Sequence, residues 1–157
     1  MRQLNLKTIL FQWFGIFFLI HGILRFFYSF NSKELIYLLN VKEETNSNKT
    51  LNILSDFLWY GTYIAFGTFF LGIIIITLIN WKNRIHFFNT IIVLILSFSL
   101  FPIGVIFRGF ISNYLNSFGW IFVKEYMYSF LIGGITFTLI GSFLIWKSKP
   151  TKEKHSS

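Results

Sequence analysis

The sequence predicts an all-α integral membrane protein built as a bundle of four transmembrane helices. Of its 157 residues, 54% are hydrophobic and only 13% are charged, and the mean hydropathy is +0.61. Soluble domains carry roughly a quarter charged residues, so this chain has too few charges to cover a water-exposed surface. The chain has no cysteine, which excludes disulfides, Cys-ligated metals and thiol redox chemistry.

Four long apolar runs between successive charges predict the helices. Each has 21 to 25 residues, and they are Thr8–Phe30, Phe57–Trp81, Ile85–Phe107 and Tyr126–Trp146. A helix needs about 20 residues to cross a hydrocarbon core, and in lipid only a helix pairs all of its own backbone groups. Residues 1–146 are therefore expected to form one transmembrane domain, followed by a disordered basic tail at 147–157.

The first run is expected to be a retained span rather than a cleaved signal peptide. His21 and Arg25 interrupt it, and no small-residue cleavage site follows. After this first run, a short helix at the membrane surface is expected at Asn31–Leu39, within the first of two outer loops. The second outer loop, Gly109–Lys124, is aromatic and expected to cover the outer mouth of the bundle.

Orientation is predicted from the distribution of Lys and Arg. One side of the bundle has eight basic residues against one acidic residue, and the other has six against five. Because the more basic side faces the cytoplasm, both termini and the Trp81–Arg84 turn are predicted to be cytoplasmic. We expect the basic residues to contact anionic membrane lipids rather than nucleic acid.

Polar and ionisable side chains near the outer ends of the spans are the candidate functional residues. A charge at bilayer depth costs at least ~2.5–3.5 kcal/mol, so such residues in a span point to function. Helical spacing places several of them on shared faces. The candidates are His21, Arg25, Tyr28, Asp56, Tyr60, Tyr63, Arg108, Glu125, Tyr128 and Ser129. We expect them to form a polar cavity open to the outer side, above an inner half of nearly pure Ile, Leu, Phe and Val.

Two ion pairs are expected in this cavity, Arg25 with Asp56 and Arg108 with Glu125. A purely structural interpretation is also open. Charged residues commonly mark helix ends, Arg25 can extend to the headgroups, and His21 can be a packing residue. The tyrosines can equally belong to an aromatic belt at the membrane interface.

Glycines in the predicted spans are expected to allow close helix packing. They stand at positions 15, 22, 61, 67, 72, 133, 134 and 141. No cofactor is expected, because His21, His86 and His155 lie at different depths and cannot form a bis-histidine haem site. No cluster of side chains supplies three or four metal ligands either.

The first helix carries the segment GIFFLIHGILRFF at Gly15–Phe27, with a basic residue near its outer end. In this it resembles the opening helix of DoxX-like proteins and related small four-helix bacterial proteins. The resemblance implies an inner-membrane four-helix bundle, and in some members a link to redox or quinone systems. Further positions that carry it are Asp56, Tyr60-Gly61, Arg108-Gly109 and Glu125. A site role is implied for Arg25, Asp56, Arg108 and Glu125.

Three hypotheses for function follow. The first is a non-enzymatic membrane protein that binds a small amphiphile, a quinone or a lipid headgroup, in the outer cavity. The second is an accessory subunit that packs against another membrane protein in a larger complex. The third is a membrane enzyme of quinone or lipid chemistry with His21 as acid and base.

Overall fold

The computed structural model describes residues 4–37, 48–99 and 118–149, and within these ranges the chain is helical apart from turns. We label the four longest helices of these ranges α1 (Leu6–Phe30), α2 (Asn48–Lys82), α3 (Phe87–Ser99) and α4 (Tyr126–Lys147). Shorter helical segments lie at 32–37 and 118–120. The predicted all-α class is confirmed.

Three helices are long and apolar enough to cross a membrane: α1, the Ser55–Lys82 part of α2, and α4. They confirm three of the four predicted spans, each within two residues of its expected bounds. The chain thus has the helices of a multi-pass membrane protein. The predicted third span begins as the shorter apolar helix α3. Its continuation at 100–107, the second outer loop up to 117 and the tail from 150 lie outside the described residues.

The beginning of α2 differs from the prediction. The helix starts at Asn48, seven residues before its membrane-spanning part, and so includes residues expected to be loop. Asp56 marks the edge of an apolar run, but an acidic residue has only a small effect on helix propensity and does not end a helix. The edge of a span and the start of its helix are therefore different positions.

Of the short helix expected at Asn31–Leu39, residues 32–37 are helical, and its place at the membrane surface stays a prediction. Asn31 joins this helix to α1. The Phe27 carbonyl in the last turn of α1 accepts two hydrogen bonds from Asn31, one from its backbone N–H at 3.1 Å and one from its side-chain Nδ2 at 2.8 Å. Asn31 is thus the C-cap residue of α1.

Helices α1 and α4 run antiparallel and form the most extensive helix pair among the described elements. Glycines meet in pairs along this α1–α4 seam, Gly15 with Gly141 and Gly22 with Gly134. A Cβ built on Gly141 would lie 2.8 Å from the Gly15 carbonyl oxygen, and one on Gly22 would lie 2.7 Å from the Thr138 nitrogen. No side chain fits there, so the glycines let the two backbones approach closely.

The apolar core lies between α1, α2 and α3. Its most buried members are Ile16, Ile76, Phe69 and Val93. Gly72 of α2 makes room for Ile16, whose Cγ1 would lie 3.3 Å from a Cβ at that glycine. The packing role predicted for the glycines is therefore confirmed along the α1–α4 seam and at Gly72.

Gly67 differs from these glycines. It is exposed on α2, and nothing in the described part of the chain lies within 4 Å of a Cβ built on it. A packing role for Gly67 therefore stays a prediction.

Charge divides the bundle into two ends. The Lys-rich end contains the start of α1, the end of α2 and the end of α4, with Lys7, Lys82, Arg84, Lys147 and Lys149. The opposite, carboxylate end contains the end of α1, the start of the α2 span and the start of α4. Its described acidic residues are Glu34, Asp56 and Glu125.

Candidate functional site

Arg25 is buried inside the bundle near the carboxylate end. Only 4% of its surface is exposed. Its guanidinium carbon lies 4.6 Å from the centre of the Phe137 ring on α4, and its Nη1 donates to the His21 carbonyl at 3.5 Å. A Cβ built on Gly133 would lie 2.7 Å from Arg25 Cδ, so the glycine leaves the space through which the side chain passes. An arginine stacked on an aromatic ring gains a cation–π attraction that partly offsets its burial.

A second contact between α1 and α4 lies one turn beyond Arg25. The Ser29 hydroxyl donates a hydrogen bond of 2.8 Å to the Met127 carbonyl in the first turn of α4. Ser129 is also buried, and Gly119 packs directly on its backbone and side chain. Ser129 is therefore part of a helix contact between α4 and the segment at 118–120.

His21 and Tyr28 are half-buried on α1. The His21 ring lies 4.5 Å from the Phe17 ring one turn away. The Tyr28 ring lies 6.2 Å from Phe57 on α2 and 5.7 Å from Phe130 on α4, so it bridges the two helices. Both residues thus pack against aromatic rings.

A cavity of about 360 Å³ opens between the end of α1, the 32–37 helix and the start of the α2 span. Of the predicted site residues it brings together Asp56 and Tyr60. Its described lining is half polar and half apolar and consists of Phe27, Asn31, Glu34, Ile53, Asp56, Phe57 and Tyr60. Asn31 and Glu34 were not among the predicted site residues, because the sequence assigned them to a surface helix outside the bundle.

The remaining predicted residues do not join this cavity. Tyr63 and Tyr128 are exposed on α2 and α4. Glu125 is the N-cap residue of α4, is exposed, and makes no side-chain capping hydrogen bond. Arg108 lies outside the described residues, so its expected pairing with Glu125 stays a prediction.

The structure therefore separates the predicted site into two parts. Arg25 lies in the α1–α4 seam and is absent from the described lining of the cavity, whereas Asp56 lies in that lining on α2. Tyr28 on α1 lies beside this lining, because its ring stacks with that of Phe57 in the cavity wall. Of the predicted residues this lining contains Asp56 and Tyr60, and the expected convergence of all the polar groups on one cavity, including the pair of Arg25 with Asp56, stays a prediction.

The Lys-rich half contains a buried polar network that the sequence analysis missed. Gln12 Nε2 donates to Asn80 Oδ1 at 2.6 Å, and Asn80 Nδ2 donates in return to Gln12 Oε1 at 3.2 Å. Asn80 Nδ2 also donates to Thr90 Oγ1 at 2.9 Å, and Gln12 Nε2 to Ser148 Oγ at 3.2 Å. Thr8 Oγ1 donates to the Ser148 carbonyl at 3.1 Å. We call Thr8, Gln12, Asn80, Thr90 and Ser148 the amide network.

The amide network joins the ends of all four described helices. Gln12 has no exposed surface at all. The expectation that the inner half is nearly all Ile, Leu, Phe and Val did not include these paired amides. Reasoning from charged side chains passed over the neutral amides, although an amide also needs hydrogen bonds when it is buried. The spacing of Thr8 and Gln12, one helical turn apart, was the available signal for a shared polar face.

Asn89 lies next to this network but differs from it. Both atoms of its side-chain amide are buried and make no hydrogen bond to the described residues, and the same holds for the Ser97 hydroxyl two turns along α3. A buried amide without partners lowers stability. Asn89 and Asn80 thus form a natural pair for comparison, one amide unpaired and the other fully paired.

Among the described residues no group of three or more His, Cys, Asp or Glu side chains could hold a metal ion. Comparison of the chain with protein-family models, with curated proteins and with solved structures found no match. The resemblance to DoxX-like proteins therefore remains a prediction from single residues.

Proposed function

We propose that this multi-pass membrane protein binds a small amphiphile with an amine-bearing headgroup at the carboxylate end of the bundle. The observation that carries the proposal is the cavity beside Asp56. Its volume of about 360 Å³ falls in the range of roughly 300–1,000 Å³ that is usual for small-molecule sites. Its lining combines carboxylates and aromatic rings, which suits a molecule with one charged and one apolar part.

The charge of the lining favours a cationic headgroup. Glu34 and Asp56 bring carboxylate oxygens to the lining, and a carboxylate accepts hydrogen bonds and donates none. The Phe27 and Phe57 rings lie 5.1 Å apart in the same wall, and aromatic faces attract ammonium groups. An amine-bearing lipid headgroup satisfies both kinds of residue at once.

A quinone fits this lining less well. Its carbonyl oxygens require hydrogen-bond donors, and among the side chains of the described lining only Asn31 and Tyr60 donate. One of the two N–H groups of the Asn31 amide is already bonded to the Phe27 carbonyl. The quinone is therefore an alternative outcome of the experiment below.

Arg25 has a different role in this proposal. Its side chain is held between Gly133 and Phe137 on α4, outside the described lining of the cavity. We assign Arg25 to fixing α1 against α4 beside the site, rather than to contact with the amphiphile. By the distribution of Lys and Arg, the cavity would open on the extracytoplasmic side.

Native mass spectrometry of gently extracted protein tests the proposal. We expect phosphatidylethanolamine to be retained by the protein and to be lost in D56N, which keeps the shape of the side chain but removes its charge. E125Q is the matched control, because Glu125 is exposed at the same end outside the cavity. Retention of a quinone would overturn the proposal of an amine-bearing headgroup, and retention of no amphiphile would overturn the proposal that the cavity is a binding site.

One observation favours a second candidate, the accessory subunit. Tyr63, Gly67 and Phe70 are exposed on one side of α2, and small residues such as glycine commonly mark helix contacts in membranes. Another membrane helix would pack on this side. Copurification with a partner that the bulky G67L variant abolishes would support it, and a lone monomer insensitive to G67L would count against it.

A further inference from the structure

The Lys-rich end presents an unbalanced set of exposed charges. Its described charged residues are all cations, and they are Lys7, Lys82, Arg84, Lys147 and Lys149. Within the described ranges, every carboxylate lies at the opposite end of the bundle. A one-sided cationic surface of this kind attracts anions.

The amide network fixes the helix ends that carry these cations. Thr8 and Ser148 join the start of α1 to the end of α4, next to Lys7, Lys147 and Lys149. Gln12 and Asn80 join α1 to the end of α2, two residues before Lys82. The cations therefore extend from helix ends whose relative positions are set by buried hydrogen bonds.

Two of the ammonium groups rest on aromatic rings. Lys7 Nζ lies 5.7 Å from the centre of the Phe11 ring, and Lys147 Nζ lies 5.9 Å from that of Phe143. Trp146, beside Lys147, is 58% exposed. Lysine above exposed aromatic rings is the arrangement expected at the boundary between hydrocarbon and headgroups.

We propose that the Lys-rich end is a binding surface for anionic phospholipids, and that the amide network holds its cations in place for this contact. The phosphate of the lipid would lie between the ammonium groups of Lys7, Lys147 and Lys149, where α1 and α4 meet. The acyl chains would lie along the exposed apolar side of α4. This inference does not depend on the amphiphile site at the other end.

The charges can be tested with purified full-length protein in neutral detergent, titrated with phosphatidylglycerol or phosphatidylcholine and examined by native mass spectrometry. We expect the anionic lipid to bind more tightly, and K147Q/K149Q to weaken it by about fivefold per lysine. The matched control is K33Q/K124Q, which removes two exposed lysines at the carboxylate end. Equal affinity for both lipids, or equal losses in the two double variants, would overturn the proposal.

The role of the network is tested by Q12L, which leaves every cation in place. We expect Q12L to lower the preference for phosphatidylglycerol over phosphatidylcholine, because the start of α1 is no longer fixed to α2. Unchanged preference in a folded Q12L variant would show that the cations act without the network. If Q12L does not fold, T8V provides the same comparison, because it removes the hydrogen bond from Thr8 to the Ser148 carbonyl that joins α1 to α4 beside the lysines.

Discussion

The two ends of the bundle bury polar groups in opposite ways. At the Lys-rich end the buried groups are neutral, with Gln12 and Asn80 paired to each other, and the charges are left exposed. At the carboxylate end a cation, Arg25, is itself buried in the seam, beside an open cavity that is lined by Asp56. Burial of a charge is far more costly than burial of an amide with partners.

This difference indicates that the two ends of the α1–α4 seam have different roles. Mutual hydrogen bonds between Gln12, Asn80 and Ser148 give one end fixed helix positions. Among the described residues, the other end is held by the Ser29 hydrogen bond, by the packing of Arg25 and by the Tyr28–Phe130 ring contact, and it leaves about 360 Å³ of space. The Lys-rich end is thus built as the rigid part, and the carboxylate end has the room to bind a molecule.

The largest expected loss of stability comes from placing a side chain at a glycine of the α1–α4 seam. G141L should destabilise the protein by about 3 kcal/mol, because its Cβ alone would lie 2.8 Å from the Gly15 oxygen and the backbones must separate. Unfolding by SDS in mixed micelles, followed by circular dichroism, measures this. G67L is the control, since that glycine contacts nothing in the described residues. Equal losses of stability in G141L and G67L would contradict close backbone packing at the α1–α4 seam.

The next largest loss of stability is expected when a paired amide at the Lys-rich end is replaced, and an unpaired amide serves for comparison. N80L should cost about 2 kcal/mol, because it leaves Gln12 and Thr90 without their partner in a buried place. N89L should change the free energy of unfolding by less than about 0.5 kcal/mol or raise it, since it removes no hydrogen bond to the described residues. The same SDS titration compares them, and a larger loss in N89L would refute the assigned network.

A smaller effect is expected where Arg25 crosses the seam. G133A should cost about 1 kcal/mol, because Arg25 Cδ and Nε must move away from the new methyl group. The displaced guanidinium should leave the Phe137 ring, which shifts the Arg25 Nε–H resonance in NMR spectra as the ring current is lost. An unchanged resonance in G133A would show that Arg25 does not depend on this glycine.

The smallest effect tests how firmly the carboxylate end is tied. S29A should cost about 0.6 kcal/mol, the average for a hydrogen bond between membrane helices. The Met127 carbonyl that loses this donor also lies in a helix, where backbone donors are close. S142A is the control, because Ser142 is exposed on α4. A loss in S29A as large as that in N80L would show that both ends are equally rigid.

Hydropathy and charge predicted those features of the fold that each helix determines by itself. The spans of α1, α2 and α4 lie within two residues of their expected bounds. Packing glycines in the seam were also predictable, because a glycine inside an apolar span has few other uses. The beginning of α2 at Asn48 was not, since a charge that bounds a span does not end a helix.

For the candidate site, the sequence predicted some of the residues but not their arrangement. The sequence pointed to Arg25, Asp56 and Tyr60 as notable polar residues, and the structure places the last two in one cavity. It could not show that Arg25 faces Gly133 and Phe137 on another helix. Helical periodicity gives the face on which a residue lies, and it does not say which neighbour covers that face.

By itself, then, the sequence determined that the chain is helical, apolar and charged asymmetrically. These properties follow from residue types and local spacing, because a helix in lipid satisfies its backbone within one segment. The tertiary structure alone decided that Gln12 meets Asn80 and that Thr8 meets Ser148, 140 positions away. Such pairings depend on how each helix is rotated and beside which helix it lies, and close packing along the whole seam sets both together.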